Sequence, residues 1–148
     1  LWEALASATG HPTNFFKKQQ FIRKNNLSHY ILLDRNNLSS VASCVGSAQY
    51  NARTTRESVP PEVWSVVNQL HEMAEQAQAS GQFAREFDLY QIQQLQERFM
   101  DQFDSFTGAV DKTMLHNDAF RFLQIGVYLE RAITTVLVMR QVFAKKPG

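Results

Sequence analysis

The most constraining feature of this sequence is an apolar repeat at helical spacing. Ile92, Leu95, Phe99, Phe103, Phe106 and Val110 recur at three- and four-residue steps, which places them on one side of a helix. The run predicts a helix from Asp88 to Thr113, with Gly108 weakening its last turns. A second long stripe follows: Phe122, Ile125, Gly126, Leu129, Ala132, Ile133, Val136 and Met139. It predicts a helix from Asp118 to Ala144 with Asn117 as its cap. No stretch alternates apolar and polar residues with the period of two that a strand needs. The chain therefore reads as all-α, a bundle of five to six helices with short connections.

The remaining helices follow from the same reasoning. Leu1 to Ala8 reads as a helix end stopped by Gly10 and Pro12, and Thr13 opens a helix through Asn25 with Asn25-Asn26 as its terminator. Ser28 caps a short turn, His29 to Leu33. Ser39 or Ser40 caps a helix to Glu57 whose inward stripe is Val41, Cys44, Val45, Ala48 and Ala52. Pro60 and Pro61 open another, because proline is tolerated in a first helical turn. Its apolar face is Val63, Val66, Val67, Leu70, Met73, Ala74 and Ala77, and Ala79-Ser80-Gly81 ends it.

Composition narrows the function classes. Fifteen basic against fourteen acidic side chains in 148 residues leave a net charge of +1. That balance provides no electrostatic footprint for nucleic acid or anionic lipid. The 44% apolar content is that of a folded domain. Cys44 is alone and cannot form an internal disulfide, which suits a reducing, cytoplasmic compartment. No apolar run is expected to span a membrane, since Arg131 and Arg140 bracket Ile133 to Met139. The sequence contains no Gly-rich phosphate loop, no HExxH, no CxxC and no nucleophile elbow. No metal and no cofactor are implied. His71, Glu72 and Glu75 have ligand chemistry but no matching pair elsewhere, so they read as a solvated helix face. Cys44, on a small apolar stripe, reads as a buried, inert thiol.

The polar residues of interest stand at the edges of the apolar stripes. Arg53 and Arg56 lie three residues apart, with Asn51 before them and Glu57 after. Two guanidinium groups so placed fit either a carboxylate clamp or ion pairs between helices. Glu130 lies just off the stripe of the last helix, one turn beyond Gly126. It reads as a partly buried acid or as the partner of Arg53 or Arg56, because a buried charge must be paired. Arg131 points to the opposite face, towards solvent. Trp64 and Tyr128 read as rim packing.

These residues carry a family resemblance. The run Leu33-Asp34-Arg35-Asn36-Asn37-Leu38-Ser39-Ser40-Val41 is followed by Ala48-Gln49-Tyr50-Asn51-Ala52-Arg53, Arg56-Glu57, Pro61-Glu62-Val63-Trp64 and Asn68. A second block holds Thr113-Met114, Phe122-Leu123, Gly126 and Leu129-Glu130-Arg131-Ala132. In this order the residues resemble the bacterial alpha-E domain family, α-helical proteins named for glutamate motifs. Leu1-Trp2 to Phe16 is similar to the segment after that family's first helix. The chain departs from the family pattern at Gln49 and Tyr50, where Arg-Glu is usual. It departs again at Phe120, usually tryptophan, and at Ile133, usually acidic.

The resemblance implies a single domain over residues 1–148, a piece of a longer alpha-E domain without its first helix and C-terminal part. It also implies a setting beside ATP-grasp amide ligases and a role in making a peptide or amide-linked product. The expected function is that of a helical partner of such a ligase, with Asn51, Arg53, Arg56, Glu57 and Glu130 as its polar site or contact surface. One alternative is an amide ligase or hydrolase with Glu130 as the catalytic acid or base and the arginines holding a carboxylate. Another is a structural, self-associating bundle.

Overall fold

The computed structural model describes residues 24–80 and 89–144, and among them there are five α-helices and no strand. These are α1 (Lys24–Leu32), α2 (Val41–Thr54), α3 (Pro61–Ala79), α4 (Leu89–Thr113) and α5 (Asp118–Ala144), with a 3-10 turn at Arg56–Ser58. The all-α expectation is met. The helices expected at Leu1–Ala8 and Thr13–Asn25 lie outside the described residues, apart from the last two positions of the second. The chain divides into two compact units. One, Arg23–Met114, contains α1 to α4; the other, described from Leu115 onward, contains α5.

In the first unit α1 packs on α2, α2 on α3 and α3 on α4. Its core joins Leu33, Val45, Leu70, Met73, Leu95 and Phe99, with small Ala42, Ala74 and Ala77 between them. Phe99 is only 2% exposed. A side chain of this size contributes about 1.5–3 kcal/mol by leaving water. The exposed ion pair of Arg35 with Glu75, whose side chains are 54% and 47% exposed, contributes about 0.2–1 kcal/mol. Apolar seams hold the unit together, and the surface charges tune it.

Three expectations need correction. Asn25-Asn26 does not end a helix: α1 runs through it to Leu32. Leu27, Tyr30 and Leu33 are buried at three-residue steps, and this packing outweighs the poor helix propensity of asparagine. The helix expected to reach Glu57 stops at Thr54, where the hydroxyls of Thr54 and Thr55 donate to the Asn51 carbonyl at 2.9 and 2.8 Å. The inward face of α2 is rotated by one residue. Ala42 and Val45 are buried, while Cys44 and Ala48 are exposed. Small residues lie on every side of α2, so periodicity locates its packed face only to within about 100°. Cys44 is therefore not a buried thiol.

The starts of the helices follow local chemistry. The Ser40 side-chain oxygen accepts the Ser43 amide at 3.2 Å and caps α2. Pro61 occupies the first turn of α3, where a missing N–H leaves no bond unmade. The Asn117 Oδ1 accepts the Phe120 amide at 3.3 Å at the start of α5.

Candidate functional site

Among the described residues of the first unit, the segment Asp34 to Ser40 is densely hydrogen-bonded. Asp34 Oδ1 accepts from the backbone and side-chain nitrogens of Asn36, both at 2.9 Å. Asn37 is fully buried; its Nδ2 donates to the Tyr30 carbonyl at 2.9 Å and its Oδ1 accepts the Ser39 amide at 3.1 Å. Arg35 reaches α3, where its Nη2 pairs with Glu75 and its Nε donates to Gln78 Oε1 at 2.8 Å. Gln78 Nε2 returns a bond to the Leu33 carbonyl at 2.6 Å. His71 Nε2 stands 3.7 Å from the same Glu75 carboxylate. The loop thus ties the end of α1 to the last turns of α3. Its polar groups are spent on one another.

The residues expected to act fall in both units, Asn51, Arg53, Arg56 and Glu57 in the first and Glu130 in the other. Asn51, Arg53, Arg56 and Glu57 cluster where α2 gives way to the 3-10 turn, and all four are exposed. Arg56 Nη1 donates to the Val59 carbonyl at 2.8 Å, and its guanidinium lies 5.2 Å from the centroid of the Trp64 ring. It straps the turn onto α3 through cation–π contact, and among the described residues no carboxylate pairs with it. Arg53 and Glu57 form no side-chain hydrogen bond or ion pair among the described residues. Gln49 lies in the α2–α3 seam, where its Nε2 donates to Asn68 Oδ1 at 3.4 Å.

Glu130 belongs to α5, in the other unit. It is exposed, and the Thr134 hydroxyl donates to its Oε1 at 3.4 Å. Arg131 is also exposed. A Cβ added at Gly126 would meet no heavy atom within 4 Å, so the notch expected there stands open. The α5 stripe expected to face a core is exposed too, Phe122 to 73% and Val136 to 64%. Over Asp118–Arg140 the helix is long and apolar enough to cross a membrane by length and composition alone, with a mean hydropathy of 1.4 and none of that stretch buried. The expectation of no membrane-length apolar run is corrected accordingly. A count of unbroken apolar residues undervalued a helix whose only charges near its centre are Glu130 and Arg131.

A family model described as "a predicted alpha-helical domain with a conserved ER motif" matches residues 1–147. The chain belongs to the Alpha-E family. Comparison with curated proteins and with solved structures finds no match. The sequence contains two Glu-Arg steps that could answer to the ER of that description, Glu130-Arg131 on α5 and Glu97-Arg98 on α4.

The second step leads to features that sequence reasoning missed. Glu97 Oε1 accepts from Gln93 Nε2 at 3.0 Å along α4. Arg98 turns into a cleft of ≈260 Å³ between α3 and α4, lined also by Glu72, Asp101, Gln69, Gln76 and Gln102, with Met73 beside them. Glu72, expected on a solvated face, is exposed and also lines this cleft. The signal lay in the pairing of two helices. Arg98, Asp101 and Gln102 flank the stripe of α4, and Gln69, Glu72 and Gln76 flank Met73 on α3. A smaller cavity of ≈180 Å³, nearly all apolar, opens among α2, α3 and α4 beside Cys44, Ala48 and Phe106. Among the described residues no group of three metal-ligating side chains comes together.

Proposed function

We propose that this Alpha-E chain is a non-catalytic helical partner that docks, through α5, on an ATP-grasp-type amide ligase and supports formation of a peptide or amide-linked product. The observation that carries this reading is the exposed apolar surface of α5. Ile125, Leu129, Ile133, Val136 and Met139 are each about half exposed or more, and Val127, Tyr128 and Val138 expose other sides of the helix. A helix apolar on every side is stable when something covers it. A lipid bilayer is the less favourable cover, because Glu130 and Arg131 would sit near its centre at about 2.5–3.5 kcal/mol for each such charge. A protein groove with one acidic and one basic group satisfies both. The ligase as occupant follows from the family resemblance, which supplies the partner's class.

A catalytic role for Glu130 has less support. An acid or base needs a concave, water-limited setting with other groups converging on it, and Glu130 stands on an open helix.

The test is to co-express the chain with an ATP-grasp amide ligase of the same organism and measure complex formation and ATP-dependent ligation. Leu129→Asp is expected to weaken the complex by about 30-fold or more without unfolding the chain. Glu130→Gln is expected to raise the partner concentration needed while leaving the ligation rate at saturation unchanged. A fall in the saturated rate with Glu130→Gln would make the residue catalytic and reject the proposal. Co-elution of identical chains by sedimentation, with no binding to the ligase, would replace the ligase by a second copy.

A further inference from the structure

We propose that the α3–α4 cleft binds a free basic amino acid, a small molecule with one carboxylate and two cationic nitrogen groups. The cleft lies wholly within the first unit and is lined by one guanidinium, Arg98, and two carboxylates, Glu72 and Asp101. Among the described residues these three form no ion pair and no side-chain hydrogen bond with one another or with any neighbour. Opposite charges that share a cleft without pairing remain available to a ligand. Their balance, one positive against two negative, is the complement of a basic amino acid group for group. The Arg98 fork takes the carboxylate in a bidentate pair, and Glu72 and Asp101 take the α-ammonium and the side-chain cation.

A second observation points the same way. Gln102 Oε1 is buried and has no hydrogen-bond partner. Such an atom is rare in a folded protein, and an amide oxygen is satisfied only by a donor. When the Gln102 side chain turns into the cleft, a ligand rich in N–H groups supplies that donor, whereas phosphate or a simple carboxylate does not. The Met73 thioether beside these groups suits the aliphatic stem that joins the two ends of such a molecule. At ≈260 Å³ the cleft falls just below the roughly 300 Å³ at which drug-sized sites begin, which fits a ligand of amino-acid size.

The proposal rests on α3 and α4, and it stands or falls independently of α5 docking. It is tested on the full chain alone, by nitrogen-15 NMR titration with L-arginine as the probe. Saturable shifts are expected at the Gln102 side-chain amide and the Arg98 and Asp101 backbone, with a Kd below about 1 mM. Agmatine, which lacks the carboxylate, is expected to bind about tenfold more weakly. Arg98→Ala should reduce L-arginine to the level of agmatine and leave agmatine itself unchanged, and Asp101→Asn should weaken both. N-acetyl-L-arginine, without the α-ammonium, should also bind more weakly than L-arginine. Arg98 and Asp101 are exposed, so the amide spectrum of each variant is expected to retain the native dispersion. Absence of saturable shifts at millimolar L-arginine would overturn the proposal, as would an equal loss of both ligands in Arg98→Ala. Undiminished binding of N-acetyl-L-arginine would overturn the free amino acid as the ligand.

Discussion

Replacing Asn37 tests whether the family-like loop is a structural tie or part of a binding site. Its side chain is fully buried, it donates to the Tyr30 carbonyl at 2.9 Å and it accepts the Ser39 amide at 3.1 Å. Asn37→Ala leaves the backbone bonds of the loop in place and removes both side-chain bonds. The Tyr30 carbonyl is then buried without a partner, at a cost of about 1–3 kcal/mol. The Ser39 amide, on an exposed residue, regains water and costs about 0.5–1 kcal/mol. The total of about 1.5–4 kcal/mol is a large share of the roughly 5–15 kcal/mol that holds a domain folded. It corresponds to a fall of roughly 1–2 M in the urea midpoint. Trp64, in the same unit, reports the transition by fluorescence once Trp2 is replaced by phenylalanine. Asn37→Asp sharpens the experiment, because it keeps the acceptor for Ser39 and turns the donor into a carboxylate facing the Tyr30 carbonyl. It should be less stable than the alanine variant at neutral pH. It should recover as pH falls, because a protonated carboxyl donates again. An Asn37→Ala midpoint within about 0.5 kcal/mol of the parent would refute the structural reading of the loop.

Two further outcomes are expected. Gly108→Ala should stabilise the chain by about 0.5–1 kcal/mol in urea unfolding, because a Cβ there meets no heavy atom within 4 Å in the middle of a helix; destabilisation would contradict the open space. Tyr30 is held above the ordinary tyrosine value of 10.0 by burial and then by the Asp34 charge. The unfolded chain therefore releases this proton first as pH rises. Stability should be undiminished below pH 10 and decline above it up to the raised folded value, and Tyr30→Phe should remove that part of the alkaline loss in a pH series of urea melts.

The helices were legible because their signals are local. The stripe of Ile92, Leu95 and Phe99 could only be one side of a helix, and Ser40, Pro61 and Asn117 mark helix starts by the bonds they make or cannot make. The limit shows on α2. Cys44 and Ala48 read as inward along with Val45, while buried Ala42 did not, because alanine, serine and glycine distinguish a packed face poorly from an open one. Arg56 illustrates the same limit for charge. Its spacing from Arg53 fitted a clamp, and its partners proved to be a carbonyl three residues on and the ring of Trp64.

The sequence by itself determined the fold class, the helix starts and the Alpha-E family, because each rests on residues close together in the chain or on their order. Tertiary structure decided what the polar residues do. Arg35 turned out to bind Glu75 and Gln78 across some forty residues, and Arg98, Glu72 and Asp101 came to share a cleft through the packing of α4 on α3. Among the described residues the stripe of α5 is exposed. Periodicity states that a face is apolar, and what covers the face depends on the rest of the fold.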